Sequence, residues 1–294
     1  MGFMKRIFLF MAVNILIVVT LSITLNLLGV HPYLTRYGID YHALMMFCLV
    51  WGMGGAFISL GLSRIMAKWM MGVQVIDPAH ATGDAAELVA LVHRLAQGAG
   101  LPAMPQVGIY ESPDLNAFAT GPTKSRALVA VSTGILNAMN WGELEAVLGH
   151  EITHVSNGDM VTMTLIQGVV NAFVMFLARV IAFAVSQNVR EENRRWVNFM
   201  VVIVLEILLS LLGMIVVAFF SRAREFRADA GGARLAGRDK MIAALESLAR
   251  GHAPADVHQR SMATLMISGK AGGFMALMAT HPPLEDRIAA LKMS

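Results

Sequence analysis

Two histidines four positions apart, His150 and His154, enclose a glutamate, Glu151, in the stretch AVLGHEITHVSNGDMV from Ala146 to Val161. On a helix, one turn separates the two imidazoles and both reach a single ion from the same face. His-Glu-x-x-His is the pattern of zinc hydrolases, in which the imidazoles bind Zn²⁺ and the glutamate acts on the water beside it. Glu151 follows His150 directly, which sets its carboxylate beside such an ion rather than on it. From there it takes a proton from water attacking a carbonyl and later hands it to a leaving amine. The competing reading is a surface helix that carries His and Glu by accident.

A catalytic zinc takes a third protein ligand and keeps its fourth position open. The best source is SRAREFRADAGG, Ser221 to Gly232, where Glu225 and Asp229 lie one helical turn apart. Glu225 completes a His₂Glu set, and Asp229 orients a ligand histidine from behind. Taken alone, the same two acids would pair equally well with Arg222, Arg224 and Arg227 on a solvated helix face.

The elements that must position these residues have a membrane-like composition. Of 294 residues, 56% are hydrophobic and only 15% charged, with a mean hydropathy of +0.61, whereas soluble domains carry about a quarter charged residues. A net charge of +3 is too weak to argue for nucleic acid, so the basic residues read as membrane-flanking charge. Cys48 is the single cysteine, which excludes an intrachain disulfide.

Four stretches reach spanning length: Ile7 to Val30, Tyr41 to Leu62, Met160 to Ala178 and Val197 to Phe220. The first follows Lys5 and Arg6 but is too long for a secretory signal and lacks a cleavage site, so a retained helix is expected. For the last two, helix packing inside a soluble enzyme is the competing reading. The polar stretch between the second and third predicts a helix over Asp84 to Ala96 and strands at Gln106 to Tyr110, Asn116 to Thr120 and Ala127 to Ser132. Asn140 and Glu143 form a capping box that starts the histidine helix, and Asn157-Gly158 stops it. Ser221 to Ser294 reads as mostly helical.

His154 and Glu225 flank the third and fourth apolar stretches, so they share an ion only if the chain crosses the bilayer twice between them or not at all. Lys5, Arg6, Arg64, Lys68, Arg222, Arg224 and Arg227 mark one side as cytoplasmic, against which Arg190, Arg194 and Arg195 dissent. Arg179 and Glu206 are single charges in apolar surroundings, and an unpaired charge at depth costs about 2.5–3.5 kcal/mol. An intramembrane ion pair is one expectation. The other has Arg179 snorkelling alone to the far surface while Glu206 lines a polar cavity.

The order NAFATG, VLGHEITHVSNGDMVTMTLIQG, SRAREFRADAGG and THPPLEDRI, behind an N-terminal hydrophobic pair, resembles the M48 family of zinc metalloproteases over almost the whole chain. A branch of that family that trims prenylated proteins shares the motif set, but the matches here are closer to its bacterial membrane branch. The resemblance implies a mainly α (α+β) fold: four transmembrane helices and a gluzincin-like zinc metalloprotease domain carrying a small β-sheet. Residues 1–63 would form the N-terminal hairpin, 64–159 and 221–294 the two parts of the protease domain, and 160–220 the second hairpin. It implies one Zn²⁺ on His150, His154 and Glu225, Glu151 as the base and Asp229 behind a ligand histidine. Asn116 and the backbone around Ala117 would hold substrate as an added β-strand, unless this is an ordinary edge strand. His281 would steady the oxyanion, unless it is only a loop histidine before a Pro-Pro turn. The implied setting is the bacterial inner membrane, with the protease domain in the cytoplasm cutting exposed segments of misfolded membrane proteins and unfolded polypeptides under stress. Two alternatives stand beside it: a processing protease for one tagged partner, and a membrane chaperone or scaffold with a vestigial site. The intact His150, Glu151, His154 and Glu225 set argues against the scaffold.

Overall fold

A computed structural model describes residues 19–29, 33–35, 38–251 and 278–293. The chain divides into two compact units, each assembled from two separate segments: Met1–Leu60 with Met163–Val217, and Gly61–Thr162 with Ala218–Ser294.

Among the described residues, three helices are long and apolar enough to cross a membrane: α1 (Tyr41–Met70, 30 residues), α5 (Asp159–Ser186, 28 residues) and α6 (Glu191–Ala236, 46 residues). They contain the second, third and fourth apolar stretches of the sequence. Most of the first, Ile7 to Val30, lies outside the described residues, although 19–27 are helical. Within the first unit, Phe173, Phe199, Ile207 and Leu212 are all exposed. A soluble helix bundle would bury such residues, whereas lipid accepts them. A two-stranded hairpin, β1 (Leu34–Thr35) and β2 (Gly38–Ile39), precedes α1.

Arg179 of α5 and Glu206 of α6 form the expected pair, with Nη1 2.6 Å from Oε1. The guanidinium also donates to the Met175 carbonyl at 3.1 Å and lies over the Phe47 ring at 5.5 Å. Arg179 is therefore held among α1, α5 and α6 and does not snorkel alone.

The second unit carries a four-stranded sheet in the order β3-β4-β6-β5, made of β3 (Gln74–Val75), β4 (Gln106–Tyr110), β5 (Ala117–Thr120) and β6 (Leu128–Ser132). β4 and β6 run parallel, and the other pairs are antiparallel. The central β6, LVAVS, is buried throughout, so β-branched and small residues fill both faces. β3 was not anticipated: two exposed residues carry no periodicity, and only pairing with β4 makes them a strand.

Against the sheet and one another pack α2 (Gly83–Gly98), α3 (Thr133–Ala138), α4 (Trp141–Asn157), α7 (Arg238–Gly251) and α8 (Leu284–Met293). Leu88, Val92 and Leu95 of α2 join Val129 and Val131 of β6, Leu148 and Ile152 of α4, and Leu245 of α7 in one core. α4 starts at the anticipated capping box, Asn140 with Glu143, and ends at Gly158, whose φ of 74° suits a residue without Cβ. The change of composition at Ser221 is no structural break, because α6 runs through it without a turn. No glycine or proline interrupts its polar continuation before Gly231.

Candidate metal centre

α4 carries His150 and His154 one turn apart on one face, and α6 crosses this helix closely enough to bring two acids to them. The crossing is made possible by glycines. A Cβ on Gly231 would stand 2.2 Å from Thr153 Cγ2, and one on Gly232 would stand 3.0 Å from the His150 backbone nitrogen. One and two turns before these glycines on α6 are Asp229 and Glu225, each only 1% exposed, which excludes the solvated-face reading.

His150, His154 and Glu225 are buried, with one ligand atom from each lying within 4.8 Å of the others. Each imidazole is gripped from behind. His150 Nδ1–H donates to Asp229 Oδ1 at 2.8 Å, and His154 Nδ1–H donates to Asp159 Oδ2 at 2.6 Å. Those bonds leave the Nε2 lone pairs facing each other across 3.1 Å. Glu225 adds Oε1 at 3.3 Å from His154 Nε2 and Oε2 at 3.6 Å from His150 Nε2. Oε1 is buried and accepts no hydrogen bond. Converging lone pairs in a buried place repel unless a cation lies among them, so the donor set fits a metal ion.

The same side-chain contacts shift the titration of these groups. Burial alone would lower the pKa of His150, but the bonds to Asp229 and Glu225 overcome it and bring the value up to about 9. His154 is likewise raised by Asp159 and Glu225 against the effect of burial. Burial would raise Glu225, yet His150, His154 and His281 hold it far below the ordinary carboxylate range. Asp229 is also kept low against burial, chiefly by Arg287.

Glu151, half-buried, sits beside the cluster and accepts the Ala119 backbone N–H at 2.9 Å. His281 reaches the same centre, its Nδ1 2.9 Å from Glu225 Oε2, with its side chain 52% exposed. It is thus at the site and open to the cleft, although its bond is to Glu225. Asn116 lies just before edge strand β5, but its backbone is turned inward: its carbonyl accepts the Ser132 N–H at 2.9 Å and its N–H donates to Ser132 Oγ at 3.2 Å. By alternation, Ala117 and Ala119 present their N–H and C=O groups to the open edge.

Three residues at the site were not singled out from sequence. Asp159 follows Gly158 directly, and a carboxylate just past the histidine helix was its only signal. Arg287 lies in the quoted THPPLEDRI. It is 7% exposed and grips Asp229 with two bonds, Nε to Oδ2 at 2.7 Å and Nη2 to Oδ1 at 2.6 Å. Ala119 carries no side-chain signal at all.

The profile of peptidase family M48 matches residues 83–294, most of the chain. The chain belongs to peptidase family M48. Like others of this family it is a metalloprotease, and its apolar helices make it a membrane protein. It is 53% identical to a Protease HtpX homolog of Thiobacillus denitrificans, covering 98% of this chain and 99% of the relative. It is 52% identical to Protease HtpX of Thioalkalivibrio sulfidiphilus over 98% and 99%, and 50% identical to a Protease HtpX homolog of Bacillus subtilis over the same shares. The fold is like that of the crystal structure of S. mikatae Ste24p, with a TM-score of 0.64 at 19% identity. That alignment covers 98% of this M48 chain, which spans only 64% of the S. mikatae chain.

Proposed function

We propose that this chain is a zinc endopeptidase of the bacterial inner membrane that cuts exposed segments of misfolded or damaged membrane proteins on the cytoplasmic side. The observation that carries the reading is the buried convergence of two Nε2 atoms and Glu225, with Glu151 beside them at an open sheet edge. His150, His154 and Glu225 would hold Zn²⁺, which supplies a Lewis acid for the scissile carbonyl and a more acidic water. Asp229 and Asp159 keep both imidazoles in the tautomer that presents Nε2. Glu151 takes the proton of the attacking water and delivers it to the leaving nitrogen. An extended substrate would lie along β5 and bond the outward groups of Ala117 and the Ala119 carbonyl, the Ala119 N–H being held by Glu151, with the Asn116 side chain at its end. His281 would face the developing oxyanion from the exposed side of Glu225.

Main-chain recognition of this kind tolerates many side chains, which favours a broad quality-control protease over a processor of one tagged partner. Basic residues at Arg64, Lys68, Arg222, Arg224 and Arg227 support the cytoplasmic placement. In this reading 64–159 and 221–294 together make the peptidase domain, and 1–63 and 160–220 are membrane hairpins, with four crossings in all.

Glu151→Gln is the decisive variant. It should keep one zinc per chain and cleave casein in detergent about 10²–10⁴-fold more slowly than the wild type. Cleavage near the wild-type rate would remove Glu151 from the mechanism, and a metal-loaded wild type that never cleaves would favour a scaffold.

A further inference from the structure

Behind the metal centre the second unit has an open concavity of about 730 Å³ that the reaction does not use. Arg227, Arg234 and Arg238 line it, with Ala230 and Ala233 as its low floor and Asp159 in its wall. Arg227, Ala230 and Arg234 are spaced i, i+3, i+7 on α6 and so share one face. Arg238 is the first residue of α7, placed by the turn at Gly237. All three arginines are exposed, and among the described residues no carboxylate lies within ion-pair distance of any of them. The one acid in the wall, Asp159, is 3% exposed and already holds His154 at 2.6 Å.

The arginines a turn earlier on the same helix differ. Arg222 donates to the Ala279 carbonyl at 2.8 Å, and Arg224 lies 3.5 Å from Glu225. Three guanidiniums around one hollow repel each other unless an anion sits among them, and their planar forks match phosphate oxygens two at a time. Of the three arginines, Arg227 lies nearest the depth of a headgroup. Arg227 follows Phe220, the end of the apolar run, by seven residues, or about 10 Å at 1.5 Å per residue. The polar layer of a bilayer extends about 5–8 Å beyond the hydrocarbon, within reach of an arginine side chain pointing back.

We propose that this concavity binds a phosphate group, brought either by the headgroup of an anionic phospholipid or as free phosphate. The lipid source rests on the reading that α6 crosses the bilayer; the phosphate source does not. Basic pockets beside membrane helices recognise headgroups by this chemistry.

The test uses the full chain in mixed micelles of phosphatidylglycerol and phosphatidylcholine in equal parts, with retained lipid measured by native mass spectrometry. The wild type should retain phosphatidylglycerol in preference, and R227Q/R234Q/R238Q should lose about fivefold per arginine. R190Q/R194Q/R195Q removes the same charge elsewhere and should retain lipid as the wild type does. A second arm titrates inorganic phosphate by calorimetry. Binding that the triple variant abolishes, without selective lipid retention, assigns free phosphate as the source. Zinc content and the melting temperature show whether the triple variant is folded. If it is not, R234Q alone gives the same readings at one exposed position. Unchanged lipid retention and unchanged phosphate binding in the pocket variants would overturn the proposal, as would an equal loss in R190Q/R194Q/R195Q. Neither arm reads peptide cleavage, so an inactive protease and an absent phosphate site remain distinguishable.

Discussion

At the scale of single residues, the centre is organised by what stands behind the histidines. Asp229 on His150 and Asp159 on His154 choose the tautomers, and Arg287 fixes Asp229 with a two-pronged grip. Such supports are worth about 10–100-fold in metal affinity although they touch no metal. Asp159→Ala should therefore weaken zinc by about that factor, while Asp159→Asn, whose amide oxygen still accepts the Nδ1 proton, should weaken it less. Glu225→Ala should do more than either, because it removes one of the three proposed ligands. Competition with a chromophoric chelator orders the three variants, and wild-type affinity in Asp159→Ala would show that His154 needs no support.

Among elements, the decisive contact is the crossing of α4 and α6 at Gly231 and Gly232. Gly232→Ala puts a methyl 3.0 Å from the His150 backbone nitrogen, where nothing flexible can give way. The helices should separate, with a loss of about 1–3 kcal/mol in stability and weaker zinc binding, since Glu225 and Asp229 move with α6. Melting in detergent and the chelator assay together check this; a variant that melts normally would place slack in the crossing. Glu145 makes a different tie, joining α4 to Arg94 of α2 at 2.8 Å and Lys240 of α7 at 2.6 Å. Burial works to raise its pKa, but the bonds to Lys240 and Arg94 prevail and lower it below the ordinary 4.5. A lowered folded value means the contribution is complete above the unfolded value and disappears as pH falls through the folded one. The melting-temperature gap between the wild type and Glu145→Gln should be full at neutral pH and close below about pH 4.5. A gap that persisted in acid would mean the carboxylate charge is not its source.

Over the whole molecule, the chain is woven. Each unit is made of two segments, and α5 and α6 belong in part to both. The first unit closes only when the chain returns along α6, and Arg179 with Glu206 is a polar link between its outgoing and returning helices. Arg179→Glu or Glu206→Arg alone should cost about 2.5–3.5 kcal/mol, the scale of an unpaired charge at membrane depth. The double exchange should recover most of that loss in detergent melts. No recovery would mean that surrounding groups, such as the Phe47 ring and the Met175 carbonyl, rather than mutual attraction, hold the two charges.

What could be read from the amino-acid order alone was what local physics decides. The capping box at Asn140 and the glycine stop at Gly158 delimit α4 because caps act within one turn. His150, Glu151 and His154 share a site because helical spacing requires it, and runs of apolar residues declare spanning helices by their length. The pairing of Arg179 with Glu206 stood between the two levels: electrostatics demanded a partner or an escape, and packing chose the partner. Tertiary structure alone decided the rest. Which histidine Asp229 serves, that Asp159 and Arg287 complete the support, and that Ala119 rather than Asn116 turns its N–H to Glu151 all depend on segments distant in the chain. The two residues of β3 became a strand only by pairing with β4. Composition and periodicity report the environment a residue prefers; which partner it meets is set by how helices and strands cross.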